Sequence, residues 1–234
     1  MLGERQGRAV GGTRPFVLGL VGATGSGKST LAKRLVANHG FVNLHMGRPL
    51  KDMLRVLGLS EEDVAGTPDQ RARPQPLLGG KSARQALSSL GTDWGRNMIT
   101  PDIWANAVKL RIGYHFENDR TAPPVVIDDL RFPNDWLVVS DFGGVIVRVR
   151  RPEIERQRTR IDIAYHRSGL GRALRGRGIL GWTPIHETEF HWPDAPSGHD
   201  LMNTGSIDAL VTQTLAHLDQ IGVVPATIPF SRKD

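Results

Sequence analysis

The chain has 234 residues, enough to bury a full core, and its 30 cationic and 24 acidic side chains leave a net charge of +6. It contains no cysteine, which excludes disulfides and zinc–thiolate centres, and no apolar run approaches the ~20 residues that span a bilayer. The charge excess, carried mostly by arginine, points to polyanionic partners, either nucleic acid or small phosphorylated molecules.

Residues 1–14 are charged and glycine-rich, without the apolar core of a secretory signal, and read as a flexible tail on a cytoplasmic protein. From Phe16 the pattern changes. Phe16 to Val21 is a short apolar run suited to a buried strand. Gly22, Ala23, Thr24, Gly25, Ser26, Gly27, Lys28 and Ser29 then match G-x-x-x-x-G-K-[ST], the phosphate-binding loop or P-loop. A helical pattern follows, with Leu31, Leu35 and Val36 on one face. Strand, loop and helix in this order are the context that the motif requires. The glycines let backbone N–H groups wrap a polyphosphate, and the helix adds its own unpaired N–H groups and dipole. Gly22 to Thr30 is therefore the expected ATP site. In it Lys28 reaches the β- and γ-phosphates and the Ser29 hydroxyl ligates Mg²⁺.

A second strand is expected over Phe41 to Met46, and a helix beginning near Pro49 and ending at Gly58. Lys51 and Arg55, four apart on that helix, read either as a solvated pair or as a basic edge facing an acceptor. Residues 59–80, rich in proline, glycine and charge, read as a loop. Order returns with a helix over Ser82 to Leu90. Gly91 to Arg96 come next, and then a helix from Pro101 to about Phe116 with Trp104, Val108 and Ile112 on its buried stripe.

Val125-Val126-Ile127 is a third strand running into Asp128-Asp129, and a carboxylate at a strand end is what a P-loop site needs to hold Mg²⁺ or its water. Arg131 to Asn134 lead into a short helix, and Gly143-Gly144 into a fourth strand, Val145 to Arg150. Between Arg148 and Arg177 stand ten arginines. In a phosphoryl-transfer enzyme this is the place of a mobile lid, and Arg150 and Arg151 are its best-fixed members. A nucleic-acid-binding arm and an inert basic surface are the competing readings. Asp200 to Asn203 reads as a last short strand, and Ser206 caps a final helix over Ile207 to Leu218. Alternating strands and helices after a P-loop indicate an α/β fold: three layers, α/β/α, around a mainly parallel sheet.

The P-loop, Ala83 to Leu87 running on to Leu90-Gly91-Thr92-Asp93-Trp94-Gly95-Arg96, Trp104, and Ile127 to Asn134 together resemble the phage-type deoxynucleoside monophosphate kinases. The segment His186-Glu187-Thr188-Glu189 and the late Asn203 fit as well, although Thr188 stands where serine is expected. The resemblance spans roughly residues 15–220. It implies a single kinase domain over residues 15–225, with a helical acceptor-binding insertion at about 47–118, an arginine-rich lid at about 150–185, and a tail from 226 to 234. It implies transfer of the ATP γ-phosphate to a deoxynucleoside monophosphate, with Mg²⁺, for DNA precursor synthesis in a host cytoplasm, and a homodimer. Lys28, Asp128, Arg131, Arg150 and Arg151 would act in transfer, with Ser29 and Asp128 at the metal. Lys51, Arg84, Trp94, Arg96, Asp129, Arg131, His186 and Glu189 would meet the acceptor. A related kinase of the phosphomevalonate kinase type, a nucleic-acid-dependent ATPase and a nucleotide-binding switch share the donor motif and remain open at this point.

Overall fold

A buried strand with no polar face must be covered on both sides, and β1 (Val17–Val21) is buried at every position. The computed structural model describes residues 16–117, 122–157 and 191–223. In it β1 is the middle of a five-stranded, all-parallel sheet of order β2-β3-β1-β4-β5. The other strands are β2 (Val42–Asn43), β3 (Val125–Ile127), β4 (Val145–Arg150) and β5 (His199–Met202). Leu18 lies between Val126 of β3 and Val145 of β4, which fixes the register at the centre.

Side chains of β1 alternate between two cores. Leu18 and Leu20 face α1 (Lys28–His39) and the last helix, Ile207–Gln220, among Leu31, Leu35, Leu210 and Leu218. Val17 and Val21 face the opposite layer, packing with Val108 and Ile112 of a long helix, Ile103–Glu117, and with Trp136 and Val139 of a shorter one, Pro133–Asp141. Trp104, Val108 and Ile112 are all buried, as their spacing predicts. Among the described residues no helix is long and apolar enough to cross a membrane.

Between β2 and β3 the chain forms a helical lobe: α2 (Arg48–Val56), α3 (Glu61–Ala65), α4 (Pro68–Ala72) and α5 (Ala83–Ser88), then α6 (Ile103–Glu117). It has a small core of its own around Leu54, Leu59, Val64 and Ala83. The expected loop over 59–80 is thus a correction: it contains two short helices and a turn of 3₁₀ helix at Pro76–Leu78. Both helices start on reciprocal capping boxes, Ser60 with Asp63 and Thr67 with Gln70. The second strand is shorter than expected. Only Val42 and Asn43 find ladder partners in β3 before the chain turns off the sheet.

α5 does not stop at Ser88 but widens into a π-helix over Ser89–Ile99. Its last bond, Thr100 N–H to Gly95 O at 3.0 Å, has the five-residue spacing of that winding. The Trp104 indole N–H donates to Gly91 O at 2.8 Å, and a Cβ on Gly95 would lie 2.5 Å from the same ring. Glycine is needed there for close approach. Among the described residues, the remaining elements are α7 (Pro133–Asp141), α8 (Pro152–Gln157), a 3₁₀ turn at Trp192–Asp194 and α9 (Ile207–Gln220), the last capped as expected by Ser206 accepting from Ala209 N–H at 3.2 Å.

Candidate active site

The turn from β1 into α1 folds as a phosphate-binding loop. Gly22 has φ +142°, and a Cβ there would lie 2.3 Å from Val149 O of the neighbouring strand, so only glycine fits. No side chain caps the start of α1, whose first N–H groups are left for an anion. The Lys28 ammonium donates to Gly22 O at 2.8 Å and Ala23 O at 2.9 Å, folded back over the loop. From the end of β5 Asn203 braces the turn, its amide donating to Ser26 O at 2.7 Å.

Opposite this loop stands the end of β3. Asp128 is buried and accepts from the Ser29 hydroxyl, from His45 Nδ1 at 2.9 Å, and from the Asn43 amide at 3.5 Å. Burial by itself would raise its pKa, but these donors and the charge of His45 outweigh it and bring it down to about 2. The same bond raises the pKa of His45. Its neighbour Asp129 goes the other way, pushed up by burial and by the charge of Asp128. Asp129 Oδ1 accepts from Met46 N–H at 2.8 Å and Oδ2 from Gly47 N–H at 3.0 Å. An ionised carboxylate touching a serine hydroxyl is a hard oxygen donor set of the kind Mg²⁺ takes, and so the residues present fit that ion.

A depressed carboxylate pKa has a consequence for stability. The contribution is complete above the ordinary value of 3.8 and is lost as pH falls through the folded value near 2. Between pH 5 and pH 2 the protein is expected to lose about 2 kcal/mol more stability than its Asp128→Asn variant, because ~1.4 kcal/mol goes with each pKa unit. Urea unfolding at the two pH values checks this, and identical losses would refute it.

Two clefts meet at this place. The larger, about 530 Å³, is lined by Thr24, Lys28, Ser29, Asp128, Arg151 and Asn203 among others. The smaller, about 160 Å³ and mostly apolar, is lined by Leu50, Leu87, Arg96, Trp104, Phe132 and Asp135 among others. Asp129 and Arg131 line both. Behind the smaller cleft, Asp135 is 1% exposed and organises the loop after β3. It accepts from Arg131 N–H at 2.9 Å, from Phe132 N–H at 3.0 Å and from the Arg96 guanidinium at 3.0 Å. Arg96 also donates to Asn134 Oδ1 and Pro101 O, and lies 3.9 Å over the Phe132 ring.

Of the donor-site residues, Thr24, Gly25, Gly27, Lys28, Ser29 and Thr30 line the larger cleft. Gly22, Ala23 and Ser26 are buried beneath it. Arg151 lines it too, with its Nε 3.1 Å from Glu153. Arg150 does not line either cleft: its guanidinium pairs with Glu155 at 2.7 Å and Asp200 at 3.5 Å. Of the acceptor residues read from sequence, Arg96, Asp129 and Arg131 line the smaller cleft, whereas Lys51, Arg84 and Trp94 do not. Arg84 is on the exposed face of α5, and Trp94 is 37% exposed, tilted against Trp104 at 6.2 Å. Arg55, the helical neighbour of Lys51, is held by Asp52 and Glu61. His186 and Glu189, and most of the expected lid, lie outside the described residues.

No family model matches the chain. A protein of Acanthamoeba polyphaga mimivirus, named "Putative deoxynucleotide monophosphate kinase", is 32% identical over 145 residues, covering 59% of this chain and 75% of the relative. The chain belongs to the deoxynucleotide monophosphate kinase family.

Solved structures similar to this family member include TT1252 from Thermus thermophilus, 24% identical over 89% of this chain and 98% of that one, at a TM-score of 0.45. Dephospho-CoA kinase from Campylobacter jejuni is 14% identical over 88% and 96%, at 0.43. The APS kinase CysC of Mycobacterium tuberculosis is 18% identical over 88% and 98%, at 0.40.

Both segments that carried the likeness to deoxynucleoside monophosphate kinases border the smaller cleft, through Gly91, Thr92 and Arg96 in one and Asp129, Arg131 and Phe132 in the other. Sequence reasoning missed three residues of this kinase site. Asp135 had a signal, an acid in the first turn of a helix begun by Pro133. His45 and Asn43 had none, because their partner lies more than eighty positions along the chain.

Proposed function

We propose that the chain is an ATP-dependent kinase that transfers the γ-phosphate of ATP to a deoxynucleoside monophosphate, giving ADP and a deoxynucleoside diphosphate. One observation carries this reading: the cleft over the P-loop and a smaller, largely apolar cleft share Asp129 and Arg131. A triphosphate along the P-loop and a flat base in the apolar cleft would bring their phosphates together at Arg131.

The loop amides and Lys28 hold the donor phosphates, and Arg131 holds the acceptor phosphate. Arg96, fastened to Asp135, braces the acceptor wall, and Arg151 approaches from the start of α8. When bound at Ser29 and Asp128, Mg²⁺ supplies positive charge to the donor phosphate oxygens. An α-phosphate oxygen of the acceptor attacks the γ-phosphorus, a new P–O bond forms, and the bond to the β-phosphate oxygen breaks with ADP as leaving group. That attacking oxygen is already anionic, so no general base is needed. The protein contributes position and charge.

The test is ADP release from ATP and Mg²⁺ against a panel of deoxynucleoside and ribonucleoside monophosphates, with mevalonate phosphate and DNA as controls. Release with a deoxynucleoside monophosphate, and a matching diphosphate product, is expected. Release driven by DNA or by mevalonate phosphate alone would overturn the assignment. Within it, Arg131→Ala is expected to lower kcat/KM for the acceptor about 10–100-fold, the worth of hydrogen bonds to a charged group, with a far smaller change in KM for ATP. Equal effects on both substrates would remove Arg131 from the acceptor.

A further inference from the structure

The turn that leaves β2 grips both carboxylates of the Asp128–Asp129 pair. Its backbone does one half of the work, because the N–H groups of Met46 and Gly47 donate to Asp129 at 2.8 and 3.0 Å. Any residue but proline could supply those groups. The other half depends on one side chain, since His45 Nδ1 lies 2.9 Å from Asp128 Oδ1. An ionised carboxylate only accepts, so Nδ1 carries the proton. Asn43 reaches the same oxygen only at 3.5 Å, the limit of a hydrogen bond, and does not duplicate the contact.

We infer that His45 is a positioning residue for phosphoryl transfer: it fixes the Asp128 carboxylate against Ser29, so that the two oxygen donors face the cleft in one arrangement. The inference rests on the phosphotransfer reading given above. Asp128 sits beside a second carboxyl group and carries three donors, of which only Ser29 belongs to the phosphate-binding loop. Without His45 no other described side chain holds Oδ1 as closely, and the carboxylate can rotate away from Ser29. Groups that hydrogen-bond a metal's carboxylate ligand set its orientation, and their loss typically costs 10–100-fold in metal affinity. His45 also stands at the hinge between donor and acceptor sides. The next two residues, Met46 and Gly47, line the smaller cleft, while the aspartate it holds lines the larger.

The experiment compares wild type, His45→Ala and His45→Asn, since the asparagine amide nitrogen occupies the place of Nδ1. Binding of a non-hydrolysable ATP analogue is measured by calorimetry with Mn²⁺ and without metal, beside the Mg²⁺ dependence of turnover. His45→Ala is expected to weaken Mn²⁺-analogue binding about 10–100-fold while metal-free binding and the acceptor KM stay within about twofold. His45→Asn is expected to restore binding to within about threefold of wild type. Thermal midpoints are compared to show that all three fold alike. Wild-type binding by His45→Ala, or equal loss in both variants, would overturn the inference alone. Failure of the wild type itself to bind the Mn²⁺-analogue would overturn the phosphotransfer reading and this inference together.

Discussion

Lys28→Ala is expected to lower turnover about 10²–10³-fold, the usual cost of removing one fixed charge or donor from the transferring group. The fold should survive, because the ammonium's contacts with Gly22 O and Ala23 O lie within the loop itself and outside the two large cores. Those contacts also describe what the side chain does before a nucleotide arrives. It rests on the loop and must exchange two carbonyls for phosphate oxygens, which bind an ammonium more strongly because they are ionised. A coupled assay for ADP, with the thermal midpoint measured on the same preparation, checks both halves. Near-wild-type turnover would remove the P-loop lysine from the chemistry.

The second large effect concerns stability. Asp135→Ala is expected to destabilise the protein by about 3–5 kcal/mol, the cost of leaving a largely buried partner charge uncompensated. Three donors lose their acceptor at once: the backbone N–H groups of Arg131 and Phe132, and the guanidinium of Arg96. Asp135→Asn keeps an oxygen for part of this network and should fall between wild type and alanine. Denaturant unfolding of the three proteins gives the order. A loss under about 1 kcal/mol for the alanine variant would mean that Arg96 is held by Asn134, Pro101 and Phe132 without the carboxylate.

The P-loop and its flanking strand and helix could be read from the chain because they are local. Glycines, lysine and serine at fixed spacing fold back on one another within eight positions, between a strand and a helix that the hydrophobic pattern also announces. The alternation of strand and helix gave a parallel sheet, but its order depends on which strands lie side by side, and no single strand encodes its neighbours. The lobe shows where composition misleads. Prolines and glycines from 59 to 80 suggested a loop, yet Ser60 with Asp63 and Thr67 with Gln70 were helix-start signals in plain view. The arginines show a deeper limit. Sequence gives their charge but not their partners, so Arg150, expected to act in transfer, pairs instead with Glu155 and Asp200. Arg96 borders the smaller cleft, where its guanidinium is tied to Pro101 O, Asn134 and Asp135. His45 is the opposite case, an unremarkable residue in a turn that meets Asp128 only through tertiary folding.

The separate small core of the helical lobe has a consequence for how the protein responds to ligands. Leu54, Leu59, Val64 and Ala83 form a cluster apart from the two large cores, so α2 to α5 can loosen while α6, the sheet and those cores stay closed. Leu50 and Leu87, on two of its helices, reach into the smaller cleft. A molecule seated there would therefore tighten these helices, and some of its binding free energy would be read out as order gained in them.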